Sequence, residues 1–110
     1  MKRSQELDQE YRDFLKTKPV PFEKNKVIEN YGDWILVEND YPYDLLYKKH
    51  HLLIPRARVG SFTQLNKISQ RRYHTLLAHL EDQYDLYFVN MAKGRTVPTH
   101  WHCHLAVWKK

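Results

Sequence analysis

His100-Trp101-His102-Cys103-His104-Leu105-Ala106-Val107 is the stretch on which the reading of this 110-residue chain turns. In an extended segment successive side chains point to opposite faces, so Trp101, Cys103, Leu105 and Val107 share one face and His100, His102 and His104 share the other. The apolar set is expected to face the core. That leaves three imidazoles in a row on an open ledge, an arrangement that packing alone does not require. With seven histidines in the chain, an alternating triplet arises by chance in about 3 of 100 sequences of this composition. The plainest account of the row is polar residues on the wet side of a half-buried strand.

Two chemistries compete with that account. Histidine is the commonest metal ligand, but a rise of about 3.3 Å per residue sets His100 and His104 roughly 13 Å apart along the backbone. Three rings so spaced do not share one ion. Only an adjacent pair could chelate, with a further ligand from His50, His51 or a carboxylate, and no metal or other cofactor is expected. The second chemistry is nucleophilic catalysis, because a neutral imidazole attacks phosphorus well and forms a covalent phosphorus–nitrogen intermediate. A central histidine flanked by two others supplies a nucleophile and neighbours able to orient the phosphate and protonate the leaving group. The preceding loop Lys93-Gly94-Arg95-Thr96-Val97 adds flexible backbone, two cations and a hydroxyl suited to phosphate oxygens.

Outward from this segment, Leu7, Tyr11, Phe14 and Leu15 recur at helical spacing and predict a helix over 4–16, with Ser4 as N-cap and Pro19 and Pro21 beyond its end. Strands are predicted over 26–29 and 33–38 around the turn Asn30-Tyr31-Gly32, followed by a tyrosine-rich connection over 39–49. A short apolar strand follows over 51–54. The strongest helix signal runs over 61–84, where Phe62, Leu65, Tyr73, Leu76, Leu77, Leu80 and Tyr84 form one stripe and Ser61 with Gln64 forms a capping-box pattern. A strand over 86–91, a loop over 92–99 and a strand over 100–108 complete the chain. The pattern predicts an α+β domain, one unit over 1–110: a mostly antiparallel sheet of about five strands, one long helix and an N-terminal helical extension over 1–20.

Composition agrees with a single globular core: 42% of residues are hydrophobic and 28% charged. The lone Cys103 excludes an intrachain disulfide framework. The first ten residues lack the apolar stretch of a secretory signal, and the longest aliphatic or aromatic run, Trp34 to Val37, is far too short to span a bilayer. The expectation is a cytoplasmic protein without membrane contact. Residues 1–55 hold nine basic against ten acidic side chains, and residues 56–110 nine against three. Such a basic half favours nucleotides, nucleic acid or phosphorylated metabolites. His74 and His79 are expected on the surface of the long helix. Tyr41, Tyr43 and Tyr47 either stack on a base or pack at the domain edge.

The triad with its following Leu105-Ala106 resembles the signature of the histidine-triad superfamily, His-x-His-x-His followed by two apolar residues. Phe88-Val89-Asn90 with a Gly94-centred loop, and His50-His51-Leu52-Leu53-Ile54-Pro55-Arg56, are similar to further elements of that family. The resemblance covers the chain from about Val27 onward. It implies a nucleotide-binding α+β fold, usually a homodimer, that hydrolyses or transfers nucleoside monophosphate groups through a nucleotidyl-histidine. By motif position His102 would be the nucleophile, His104 would assist the phosphate and leaving group, and His100 with His50 would support the site. Asn90 and Thr96 match positions that contact ribose or phosphate, Gly94 and Arg95 are expected to bind substrate in the same loop with Arg95 in place of the family's usual amide, and Asn39, near the acidic or amide residue after the family's second strand, is expected to bind ribose. The expected partner is a nucleotide substrate. The alternative is a nucleotide- or nucleic-acid-binding module without catalysis.

Overall fold

The computed structural model describes residues 2–95 and 97–110. Helix α1 spans Gln5–Lys16 and opens as expected, with the Ser4 hydroxyl accepting from the Leu7 N–H. Thr17 closes it, and Lys18 turns the chain at φ 51° toward Pro19. Strands β1 (Val27–Asn30) and β2 (Trp34–Glu38) form the predicted hairpin. Its turn needs Gly32 at φ 91°, a region open to glycine at little cost, and the Asn30 side chain accepts the Gly32 N–H at 2.9 Å.

Strand β3 (Tyr47–Pro55) is longer than the 51–54 segment read from the sequence, and it takes over part of the supposed connection. It is the central strand, paired with β2 on one side and with β5 (Cys103–Trp108) on the other. Strand β4 is only Leu86–Phe88 and forms the far edge, giving an antiparallel sheet of order β1-β2-β3-β5-β4.

The long helix differs from its prediction. Phe62–Gln64 is a short 3₁₀ turn, Leu65 is extended, and α2 runs only over Lys67–Leu80. Asn66 is the reason, since its side chain accepts the Ser69 N–H at 2.8 Å and restarts the helix there. Gln64 still reaches back, with Oε1 accepting from the backbone of Ser61 and Gly60. His74 and His79 are exposed on α2, as expected.

The last strand also starts later than predicted, at Cys103. The ladder with β3 ends at the Leu53–Cys103 pair. Before it the Trp101 N–H bonds the Val59 carbonyl at 2.7 Å, so His100 and His102 lie on a bend outside the ladder.

Both faces of the sheet are covered. Under α2 lie Trp34, Leu36, Leu53, Trp101, Cys103 and Leu105, with Tyr73, Leu76 and Leu80 from the helix itself. The Trp34 indole N–H donates to the Ser69 carbonyl at 2.9 Å and fixes the helix on the sheet. The apolar residues of the triad segment therefore face the core as predicted. The opposite face, expected to be open, is buried too. There Val37, Leu52 and Ile54 pack with Phe22, and Tyr43, Tyr47 and Ala106 form a second group. The consecutive run Leu52-Leu53-Ile54 is what a strand buried on both faces requires. Among the described residues no helix is long and apolar enough to cross a membrane.

Leu53 is fully buried at the centre of this arrangement, whereas Tyr87 on the edge strand is 58% exposed. Leu53→Ala is expected to lower the unfolding free energy in urea by about 2–5 kcal/mol, and Tyr87→Ala by about 0.5 kcal/mol or less. Equal losses would contradict the assignment of β3 as the buried strand.

Candidate functional site

Four imidazoles gather on the face away from α2: His50 from β3, His104 from β5, and His100 and His102 from the bend before it. All four are buried. His50 pairs in register with Ala106 and His104 with Leu52, which makes the two histidines diagonal neighbours on one face. Their rings sit 5.0 Å apart.

The hydrogen bonds settle which nitrogen of each ring carries the proton. The Tyr43 backbone N–H points at His50 Nδ1 at 3.0 Å. An N–H only donates, so that nitrogen is bare and His50 carries its proton on Nε2. His50 Nε2 then donates to His104 Nδ1 at 2.8 Å, which places the proton of His104 on its own Nε2. That Nε2–H is buried and meets no partner among the described residues. His102 is set the other way. Its Nδ1 donates to the His100 carbonyl at 2.9 Å, which leaves Nε2 as a bare lone pair that no described group takes. His100 is anchored in turn, with Nε2 donating to the Pro55 carbonyl at 2.8 Å.

His102 and His104 line a cavity of about 230 Å³ on this face. The two rings that carry this N–H and this lone pair are thus adjacent on one cavity, with centroids 5.0 Å apart. The stacked ring of Phe88, 4.4 Å from His104 and nearly parallel to it, fixes that imidazole's plane. Tyr43 and Tyr47 pack edge-on against His50. Both are buried beside the imidazoles, and Tyr43 also lines the cavity. Tyr41 stands against Tyr11 and Phe14 of α1.

The remaining predicted residues divide. Asn39 lines the cavity, but its side chain is engaged: Oδ1 accepts the Tyr41 N–H, and Nδ2 lies 3.4 Å from His50 Nδ1. The neighbouring Asp40 lines the cavity as well and makes no hydrogen bond or ion pair among the described residues. Burial, and then Glu38, raise its carboxyl above the usual range. Sequence reading passed over Asp40, although its carboxylate is the only one in the cavity wall among the described residues. Asn90 lines the cavity. Arg95 is turned away, with Nε donating to the Asn90 carbonyl at 3.0 Å and Nη1 to the Gly60 carbonyl at 2.5 Å. It ties two loops together. Gly94 ends an exposed 3₁₀ turn with open space where a Cβ would be, so its position places no demand for glycine. Thr96 lies outside the described residues. His100 and His50 do not line the cavity; they hold the two rings that do.

The roof over this face is the N-terminal segment. The Arg3 guanidinium lies between the rings of Tyr11 and Tyr43, at 4.4 and 4.7 Å, and its Nε donates to the Tyr41 carbonyl at 2.7 Å. The Ser4 N–H donates to Asp44 at 2.7 Å. These contacts latch α1 to the segment before β3, and α1 closes one side of the cavity through Tyr11, Phe14 and Leu15.

No protein-family model matches the chain, and no curated protein is similar to it. The account of the site therefore rests on its geometry.

Burial pushes all four histidines below their ordinary range. For His50 the nearby Arg3 charge adds to the effect, and for His104 the neighbouring His102 and His50 add to it. His102 and His100 are shifted the same way, each partly offset by its bond to a carbonyl. A histidine whose folded pKa is depressed stabilises the fold above its unfolded value near 6.5, and that stability is lost as pH falls toward the folded pKa. His50 and His104 should each cost about 2 kcal/mol by pH 5. Thermal denaturation should show a melting temperature that is flat above pH 7 and falls steeply from pH 6.5 to 5. A melting temperature constant over that range would contradict neutral, buried imidazoles.

Proposed function

We propose that the protein is a nucleotide hydrolase or nucleotidyl transferase that acts at the α-phosphorus of a nucleotide ester, anhydride or phosphoramidate through a covalent nucleotidyl-histidine. The observation that carries this reading is the opposed pair of tautomers: a bare His102 Nε2 and an unpartnered His104 Nε2–H on one cavity. A lone pair and a donor side by side match an electrophilic phosphorus and its anionic oxygens.

In the first displacement His102 Nε2 donates its lone pair to phosphorus, and the leaving group departs with the electrons of its own bond to phosphorus. The ring becomes positively charged, and the His100 carbonyl dipole at Nδ1–H stabilises that charge. His104 Nε2–H donates to a phosphoryl oxygen. It acts as a neutral donor, because burial disfavours its imidazolium. In the second displacement water or an acceptor hydroxyl attacks phosphorus, the phosphorus–nitrogen bond breaks with its electron pair returning to His102, and the attacker's proton goes to solvent, which had supplied the proton taken up by the leaving group. Asp40, the carboxylate of the cavity wall, serves as an acceptor for sugar hydroxyls in this reading.

Binding without chemistry is the second reading, favoured by Arg95, whose guanidinium is occupied by two carbonyls and leaves the phosphate no cation at that position. The two separate in one experiment. Incubation with adenylated and guanylated compounds should yield a nucleotidyl adduct on His102 by mass spectrometry, and His102→Ala should cut turnover by about 10³-fold or more while nucleotide still binds. Binding that falls steeply with salt, with no adduct and no effect of His102→Ala, would replace catalysis with the binding reading.

A further inference from the structure

A ring from outside the sheet, that of Phe22, packs against His102, and its backbone is unusual. Phe22 sits at φ 60°, a region that bulky side chains rarely enter and hold only when their surroundings enforce it. The enforcement is visible. Its side chain packs on the Val37, Leu52 and Ile54 cluster, and its ring lies 5.0 Å from the ring of His102, edge to face, and 5.4 Å from that of His100. Phe22, His102 and His104 all line the same cavity. The phenyl ring is therefore a side wall of the space in front of His102, and it leaves that space open.

We propose that Phe22 is a positioning residue for His102: its ring, held in a strained backbone conformation, fixes the plane of the imidazole and keeps water from the flank of the cavity-facing nitrogen. A lone pair stripped of water on one side reacts from a narrower set of orientations, which is the benefit of a preorganised nucleophile. The inference rests on the catalytic reading of His102 for its kinetic consequence, and on geometry alone for its effect on the ring. Groups that face His102 are the imidazoles of His100 and His104, His50 behind His104 on β3, and Arg95 of the loop after β4. The burial that holds His102 neutral thus depends in part on one aromatic ring from the N-terminal segment.

The test uses the full chain with three variants. Phe22→Gly removes the ring and suits the positive φ, Phe22→Asn tolerates the same φ and brings a polar group, and Phe22→Leu restores an apolar cover. Imidazole titration by NMR reads the His102 pKa directly, and kcat and KM are followed against pH on a substrate that forms the His102 adduct. Phe22→Gly and Phe22→Asn should raise the His102 pKa by about one unit, and lower kcat about tenfold with KM little changed. The acid limb of the rate profile should move up with the pKa. Phe22→Leu should recover most of both effects. A lowered melting temperature with unchanged His102 pKa and unchanged kcat would reduce Phe22 to a packing residue and overturn the inference. Should the wild-type chain form no adduct while Phe22→Gly still shifts the His102 pKa, the catalytic reading falls and the positioning of the ring stands.

Discussion

A backbone N–H can only donate, and the one on Tyr43 points at a histidine. From that constraint the proton positions of two further nitrogens follow in sequence, through His50 to His104, and the chain ends on an N–H that meets no partner among the described residues. On the adjacent ring the His100 carbonyl imposes the opposite tautomer. Orientation is thus anchored by main-chain groups at His50 and His102 and passed to His104 by one side-chain hydrogen bond. A buried polar group without a partner is costly.

The chain of tautomers holds only while the rings are neutral, and neutrality depends on burial. The sheet supplies one wall, with Leu52 beneath the imidazoles, and the stacked Phe88 supplies another. The N-terminal segment supplies the roof, latched by Arg3 between two tyrosine rings and by Ser4 on Asp44. The extension is therefore a structural part of the site. The cations that latch it, with Arg3 acting on both His50 and His104, also disfavour protonation of those rings.

Much of this was legible in the sequence, and the misses have physical causes. Period-two alternation placed Trp101, Cys103 and Leu105 on the core face, and that holds even though Trp101 precedes the strand. The same alternation suggested an open ledge for the histidines, because one strand's pattern carries no information about a covering segment eighty residues away. Phe22 and Arg3 are recognisable as cover only once the chain has folded. The helix over 61–84 was overextended because the stripe of Phe62 and Leu65 continues into α2, whereas the Asn66 cap between them breaks the backbone. Arg95 showed the limit of reading charge: a guanidinium beside a glycine suggests an anion site, yet two carbonyls within reach took its donors. Asn39 and Asp40 are adjacent, and only the hydrogen bonds of Asn39 reveal that the carboxylate next to it is the unengaged group.

The central claim is the proton arrangement itself, and long-range proton–nitrogen correlation NMR on the labelled protein at pH 7 reads it nitrogen by nitrogen. The account predicts neutral rings throughout, with the proton on Nε2 in His50 and His104 and on Nδ1 in His102. A proton on His104 Nδ1, or an imidazolium at His50, His102 or His104, would contradict it.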